Sequence, residues 1–161
     1  MKIKGIIDED FVNYKKPSMF IAFPTCSFKC EKDCGVRCCQ NSDLAKQKDI
    51  EVDVDSIIER YIANNITSAI VMGGLEPFDS KDIYHLITAF RAVTDDDIVI
   101  YTGYNETEVL FNIGVLSQYK NIVVKFGRYV SNQEKHFDEV LGVWLASDNQ
   151  HAIRISKENT Q

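Results

Sequence analysis

The chain has 161 residues, enough for one domain whose core needs no covalent staples. Hydrophobic residues make up 45% and charged residues 26%, an ordinary globular balance, and no apolar run approaches the ~20 residues of a membrane helix. A formal net charge of −6, with lysine and arginine nowhere concentrated, argues against general nucleic-acid binding, because phosphate neutralisation needs a basic surface.

The start, Met1-Lys2-Ile3-Lys4-Gly5-Ile6-Ile7-Asp8, meets an acid too early for a secretory signal, so the cytoplasm is the expected setting. A weak strand is expected from Lys2 to Ile7. Ser18 to Phe23 is an apolar run stopped by Pro24 and reads as a buried strand that delivers the loop 24–41. Val54, Ile57, Ile58, Tyr61 and Ile62 then recur at helical spacing behind Asp53, a residue suited to capping the first turn. Thr67 to Met72 is a second buried strand, ending in Gly73-Gly74. The next helix is expected from about Asp79-Ser80, with Ile83, Leu86, Ile87 and Phe90 on one face. Asp97 to Tyr101 is a third strand, ending in the turn Thr102-Gly103-Tyr104. A short helix from about Glu106 and a strand from Asn121 to Lys125 follow, then weaker strands at Val143 to Ala146 and Ala152 to Ser156. The chain closes on a polar tail, 157–161.

Apolar strands separated by amphipathic helices imply a parallel sheet covered by helices in one α/β domain spanning 1–161. Right-handed crossovers would put the cysteine loop, the Gly73-Gly74 turn and the Thr102-Gly103 turn at one end of that sheet, where such folds bind ligands. With so few strands, the expectation is an open partial (βα) barrel.

All five cysteines, Cys26, Cys30, Cys34, Cys38 and Cys39, fall within that first loop. Thiolates crowded into one loop are soft metal ligands, whereas a disulfide framework would spread its cysteines to staple distant segments. Two cofactors fit the crowding: an iron-sulfur cluster held by three thiolates, with one iron left open to a ligand, or a structural zinc held by four. Gly73-Gly74-Leu75-Glu76-Pro77 offers a second feature. Paired glycines let backbone approach a ligand closely, and the carboxylate beyond them can accept from an ammonium group; alone, the same residues would make an ordinary turn with a solvated glutamate. Tyr101 reads equally well as strand core. Trp144 reads as core or as part of a partner surface, with the core favoured. His85, His136 and His151 have no ligand-like spacing to the cysteines.

The cysteine loop after the first core strand, followed by Gly73-Gly74-Leu75-Glu76-Pro77, resembles the radical S-adenosylmethionine superfamily. Tyr101-Thr102-Gly103-Tyr104, Gly127-Arg128-Tyr129 and Ser147-Asp148-Asn149-Gln150 are similar to segments of the proteins that activate anaerobic ribonucleotide reductase. The likeness runs from about Phe20 to Ile155.

This resemblance implies a partial barrel of the radical S-adenosylmethionine type, with a mainly parallel sheet. It implies a 4Fe-4S cluster whose open iron chelates the amino and carboxylate groups of S-adenosylmethionine. Reductive cleavage of that cofactor gives methionine and a 5′-deoxyadenosyl radical, and the target is a glycine of a partner, an anaerobic ribonucleotide reductase. Flavodoxin or ferredoxin is the implied electron donor. The family spacing C-x3-C-x2-C would put the third ligand at Asp33, so an insertion has displaced it. Cys39-Gln40-Asn41 matches the sequence around the family's third cysteine best, which implies Cys26, Cys30 and Cys39 as ligands. Cys34 and Cys38 stand as alternatives, as ligands of a second metal or as spare thiols. Gly73, Gly74, Glu76, Thr102 and Tyr104 are the implied cofactor contacts, although Leu75 splits the more common Gly-Gly-Glu. The alternatives are a radical enzyme acting on another protein or a small molecule, and a zinc-stabilised binding module without catalysis.

Overall fold

The structure, a computed structural model, describes residues 1–156, so the tail expected at 157–161 lies outside the described residues. The chain opens on strands β1 (Lys2–Ile3) and β2 (Gly5–Asp10) and then β3 (Ser18–Phe23), which is almost wholly buried. The cysteine loop carries two short helices, α1 (Lys29–Cys34) and α2 (Ser42–Lys46), neither of which buries a residue. After β4 (Ile50–Glu51) comes α3 (Val54–Ala63), behind Asp53 at the N-cap position but without a capping bond from its side chain. Then follow β5 (Ala69–Gly74), α4 (Ile83–Arg91), β6 (Asp97–Tyr101), α5 (Leu110–Leu116) and β7 (Ile122–Phe126). Three shorter strands, β8 (His136–Asp138), β9 (Val143–Leu145) and β10 (His151–Arg154), complete the described chain.

Six strands form one mixed sheet in the order β10-β7-β6-β5-β3-β2. The central four are parallel, and both edge strands, β2 and β10, run antiparallel to their neighbours. Two further two-stranded antiparallel sheets pair β1 with β4 and β8 with β9. The partial-barrel expectation, radical S-adenosylmethionine type included, is therefore wrong. Curling toward closure needs further parallel βα units at the sheet's margins. Here antiparallel returns occupy both margins, and no barrel closure forms among the described residues.

Strand alternation divides the residues between two faces. One face sends Met19, Ile21, Ile70, Met72, Ile98, Ile100 and Val124 against Ile57, Tyr61, Leu86, Phe90 and Leu116 of α3, α4 and α5 in one core. All three helices thus lie on one side, as successive right-handed crossovers in one direction require. On the opposite face Val71, Val99 and Val123 pack against Tyr14, from the β2–β3 connection, and Leu141 and Leu145, from the β8–β9 hairpin. This covering stops short of the C-terminal ends of the parallel strands, and there a cavity opens.

Two local expectations also change. The helix expected from Asp79-Ser80 begins at Ile83, because Pro77–Asp79 first makes a separate 3₁₀ turn. Trp144, expected in the core, is 68% exposed; its ring meets Phe137 edge-on at 5.9 Å, since β9 presents alternate residues outward. Among the described residues no helix is long and apolar enough to cross a membrane.

Candidate metal centre

The cavity has a volume of about 560 Å³, within the size range of small-molecule sites. Its floor is the uncovered sheet face, built from Phe20, Ala22, Gly73, Tyr101 and Lys125. Cys26, Cys30 and Cys39 line it, as do Val12 and Trp144, which remain largely exposed. The Gly73-Gly74 end of β5 and the Glu76, Thr102 and Tyr104 segment also reach this cavity. The structure thus gathers the residues singled out in three separate stretches of sequence.

Cys34 and Cys38 form a disulfide, and the remaining three cysteines are free and half-buried. Burial pushes the Cys26 thiol up to about 11 and raises that of Cys30, which the neighbouring Cys39 raises further. Both hold their protons near neutrality without metal, so metal binding must displace them. The backbone N–H of Phe28 donates to Cys26 Sγ at 3.2 Å, a bond formed because Phe28 takes a left-handed conformation (φ 53°) ahead of α1. Among the described residues, no three His, Cys, Asp or Glu side chains converge as one metal ion would need. Cys26, Cys30 and Cys39 are the free thiols that border this cavity, the number a cluster with one open iron takes.

The loop is tied down from several sides. Asn41 Nδ2 donates to the carbonyl of Gly74 at 2.7 Å, fastening the Cys39-Gln40-Asn41 segment to the glycine pair. Asp79 accepts from the backbone N–H of Ser27 at 3.0 Å and from the Tyr104 hydroxyl at 2.7 Å, holding the residue after Cys26. Buried Lys4 donates to the carbonyls of Ala45 and Gln47 and pairs with Asp49 at 2.8 Å, anchoring the end of α2 and the chain after it. Local sequence gave no signal for these ties, since each joins residues far apart along the chain.

Glu76 is buried, and its carboxylate joins the turns after β5 and β6. Oε1 accepts from Phe78 N at 3.1 Å and from the Thr102 hydroxyl at 2.8 Å, while Oε2 accepts from Gly103 N at 2.9 Å. Thr102 and Glu76 therefore serve each other, and Oε2, with one donor, keeps accepting capacity. Burial raises the Glu76 carboxyl to about 7, against the three hydrogen bonds that favour its ionised form. Lys125, on β7 beside them, is lowered by burial to about 8; its Nζ donates to Gly127 O at 2.8 Å. In sequence Lys125 marks only the expected end of its strand, and its place on the cavity floor becomes apparent with the fold.

Because the folded Glu76 value lies above its ordinary 4.5, its contribution is fully present below pH 4.5 and is lost as pH rises through about 7. The metal-free protein is expected to lose roughly 3 kcal/mol from this source across that window. Glu76→Gln should flatten this part of the pH profile in anaerobic urea unfolding. An unchanged slope would show that the carboxyl is solvated.

The family model of a 4Fe-4S single cluster domain matches residues 17–153, including all five cysteines. Among curated proteins and among solved structures, none matches the chain. With three free thiols bordering one cavity and a match over most of its length, the chain belongs to the 4Fe-4S single cluster domain family.

Proposed function

We propose that the chain holds a 4Fe-4S cluster through Cys26, Cys30 and Cys39, and that the adjoining cavity binds S-adenosylmethionine for reductive cleavage, activating a glycyl-radical partner enzyme. The observation that carries this reading is the sharing of one cavity by three free thiols, the glycine pair and the Glu76 carboxylate. When bound, the cluster supplies the electron that breaks a carbon–sulfur bond of the sulfonium, yielding methionine and a 5′-deoxyadenosyl radical.

The chain's own residues bind and orient. Gly73 keeps the floor low: a Cβ there would stand 3.1 Å from the Phe20 ring. Glu76 Oε2 accepts from the cofactor's ammonium, a charge-assisted bond that also favours the ionised carboxylate. Glu76→Gln is therefore expected to weaken cofactor binding by about 1 to 3 kcal/mol with iron content unchanged. Unaltered affinity by equilibrium dialysis would place the ammonium elsewhere.

The cavity mouth is flanked by exposed Val12 and Trp144, and an open mouth suits a macromolecule that closes the site itself, excluding water as it inserts the reacting loop. The partner of this reading is an anaerobic ribonucleotide reductase, with flavodoxin or ferredoxin as electron donor. With a low-potential reductant, the isolated protein should cleave S-adenosylmethionine slowly. Adding the cognate reductase should accelerate cleavage and produce a glycyl radical on the reductase, detected by electron paramagnetic resonance. Efficient turnover of a small molecule without a protein partner would overturn the activase assignment. Zinc in place of iron after anaerobic reconstitution would overturn the whole reading.

A further inference from the structure

The chain carries five cysteines, but a cluster with one open iron takes only three thiolates. In the structure, the two surplus thiols are bonded to each other. Gly35 makes this possible: at the C-cap of α1 it adopts φ 70°, a left-handed turn that reverses the chain between Cys34 and Cys38. The disulfide closes a loop of sequence separation 4, which removes less entropy from the unfolded chain than a long loop would. It also fastens nothing to the core, since α1 buries no residue and Cys34 is exposed. A role in stability is therefore a poor account of it. Its position is informative instead. Cys38 adjoins Cys39 in sequence, and its Sγ lies 3.3 Å from the carbonyl oxygen of Cys30, so once reduced it stands beside two of the three proposed ligands.

We propose that the Cys34–Cys38 pair is a thiol–disulfide exchange site that sets how many thiolates the loop offers to the cluster. This rests on the assignment of Cys26, Cys30 and Cys39 as ligands. With the disulfide formed, three thiols are offered and the fourth iron stays open to the cavity. With it reduced, Cys38 competes for that iron and closes the site. The exchange partner is a dithiol protein or small dithiol: its thiolate attacks the exposed Cys34 sulfur, the Cys34–Cys38 bond breaks, and a mixed disulfide forms. The reductant's second thiol then resolves that intermediate, so the reductant leaves as its own disulfide, and two electrons and two protons remain on Cys34 and Cys38.

The test counts thiols and probes the open iron with cyanide, a ligand unrelated to S-adenosylmethionine. Anaerobic alkylation of the metal-free protein before any reductant, read by mass spectrometry, should label the three free cysteines, and all five after dithiol treatment. The wild type, Cys34→Ser and the Cys34→Ser, Cys38→Ser double variant are then reconstituted under one dithiol reductant. In the double variant, cyanide should shift the electron paramagnetic resonance spectrum of the reduced cluster. In Cys34→Ser, which leaves Cys38 free beside Cys39, that shift should be lost while iron content is kept, and the wild type should resemble it. Equal cyanide shifts in all three proteins, or five labelled thiols before reduction, would overturn the proposal. A double variant that binds cyanide but not S-adenosylmethionine would support the exchange site and overturn the cofactor reading.

Discussion

Cys39→Ala, made in the Cys34→Ser, Cys38→Ser background, is expected to lose nearly all reconstituted iron, and Cys26→Ala and Cys30→Ala in that background should do the same. The background itself should keep its full iron content. It matters because Cys38 adjoins Cys39 and could substitute for it once reduced, masking the loss in a single variant. The structural ground for assigning Cys39 is its anchorage: Asn41 is held to Gly74 O at 2.7 Å, which sets the Cys39 segment against the end of β5 at the cavity. Iron and sulfide analysis together with the cluster's visible absorption reads the outcome. Full iron in the triple variant lacking Cys39 would remove it from the ligand set.

Gly74→Ala should be the most damaging substitution in the glycine pair. Gly74 has φ 81°, and an added Cβ would lie 2.9 Å from the Cα of Ala22 on the neighbouring strand, a backbone atom that cannot swing aside. The left-handed conformation costs about 1 to 2 kcal/mol for alanine and the overlap about 1 to 3 more, so a loss of about 2 to 5 kcal/mol in urea unfolding is expected. Gly35→Ala is the control, because its φ is 70° but nothing lies within 4 Å of its Cβ position. It should lose only the conformational part. Equal losses at the two positions would mean that close packing of β5 against β3 does not demand Gly74.

How much the sequence revealed varied with the kind of signal. The four parallel strands were legible because each is an apolar run bounded by a turn, and Ser18 to Phe23 matches β3 residue for residue. α3 and α4 were legible from Ile57, Tyr61, Leu86 and Phe90, whose helical spacing reflects burial against one sheet face. The architecture around that sheet was not. β2 reads Gly5-Ile6-Ile7-Asp8-Glu9-Asp10, half acidic, and β10 is four residues long, so neither announces an antiparallel edge. The partial-barrel expectation extended the parallel pattern outward, where the chain instead turns back. Trp144 misled for a related reason: aromatic residues are usually buried, but a two-stranded hairpin has one face with nothing to cover it.

At the site, the cysteines, the glycine pair and Glu76 stood out by residue type and spacing. Their connections did not. Asn41 to Gly74, Ser27 to Asp79 and Glu76 to Gly103 span long stretches of chain, and only the folded register brings them together. Glu76 shows the difference most plainly. Sequence suggested a carboxylate presented to a ligand, whereas the structure gives it three donors from the protein before any ligand arrives.

The most direct measurement of the central claim is electron–nuclear double resonance on the anaerobically reconstituted Cys34→Ser, Cys38→Ser double variant, its cluster reduced, with S-adenosylmethionine carrying nitrogen-15 at its amino group. A nitrogen-15 coupling to the cluster, absent from the Cys39→Ala triple variant, is the expected result. A fully loaded cluster that shows no coupling to the amino nitrogen at saturating cofactor would contradict the claim that this cavity joins S-adenosylmethionine to the iron.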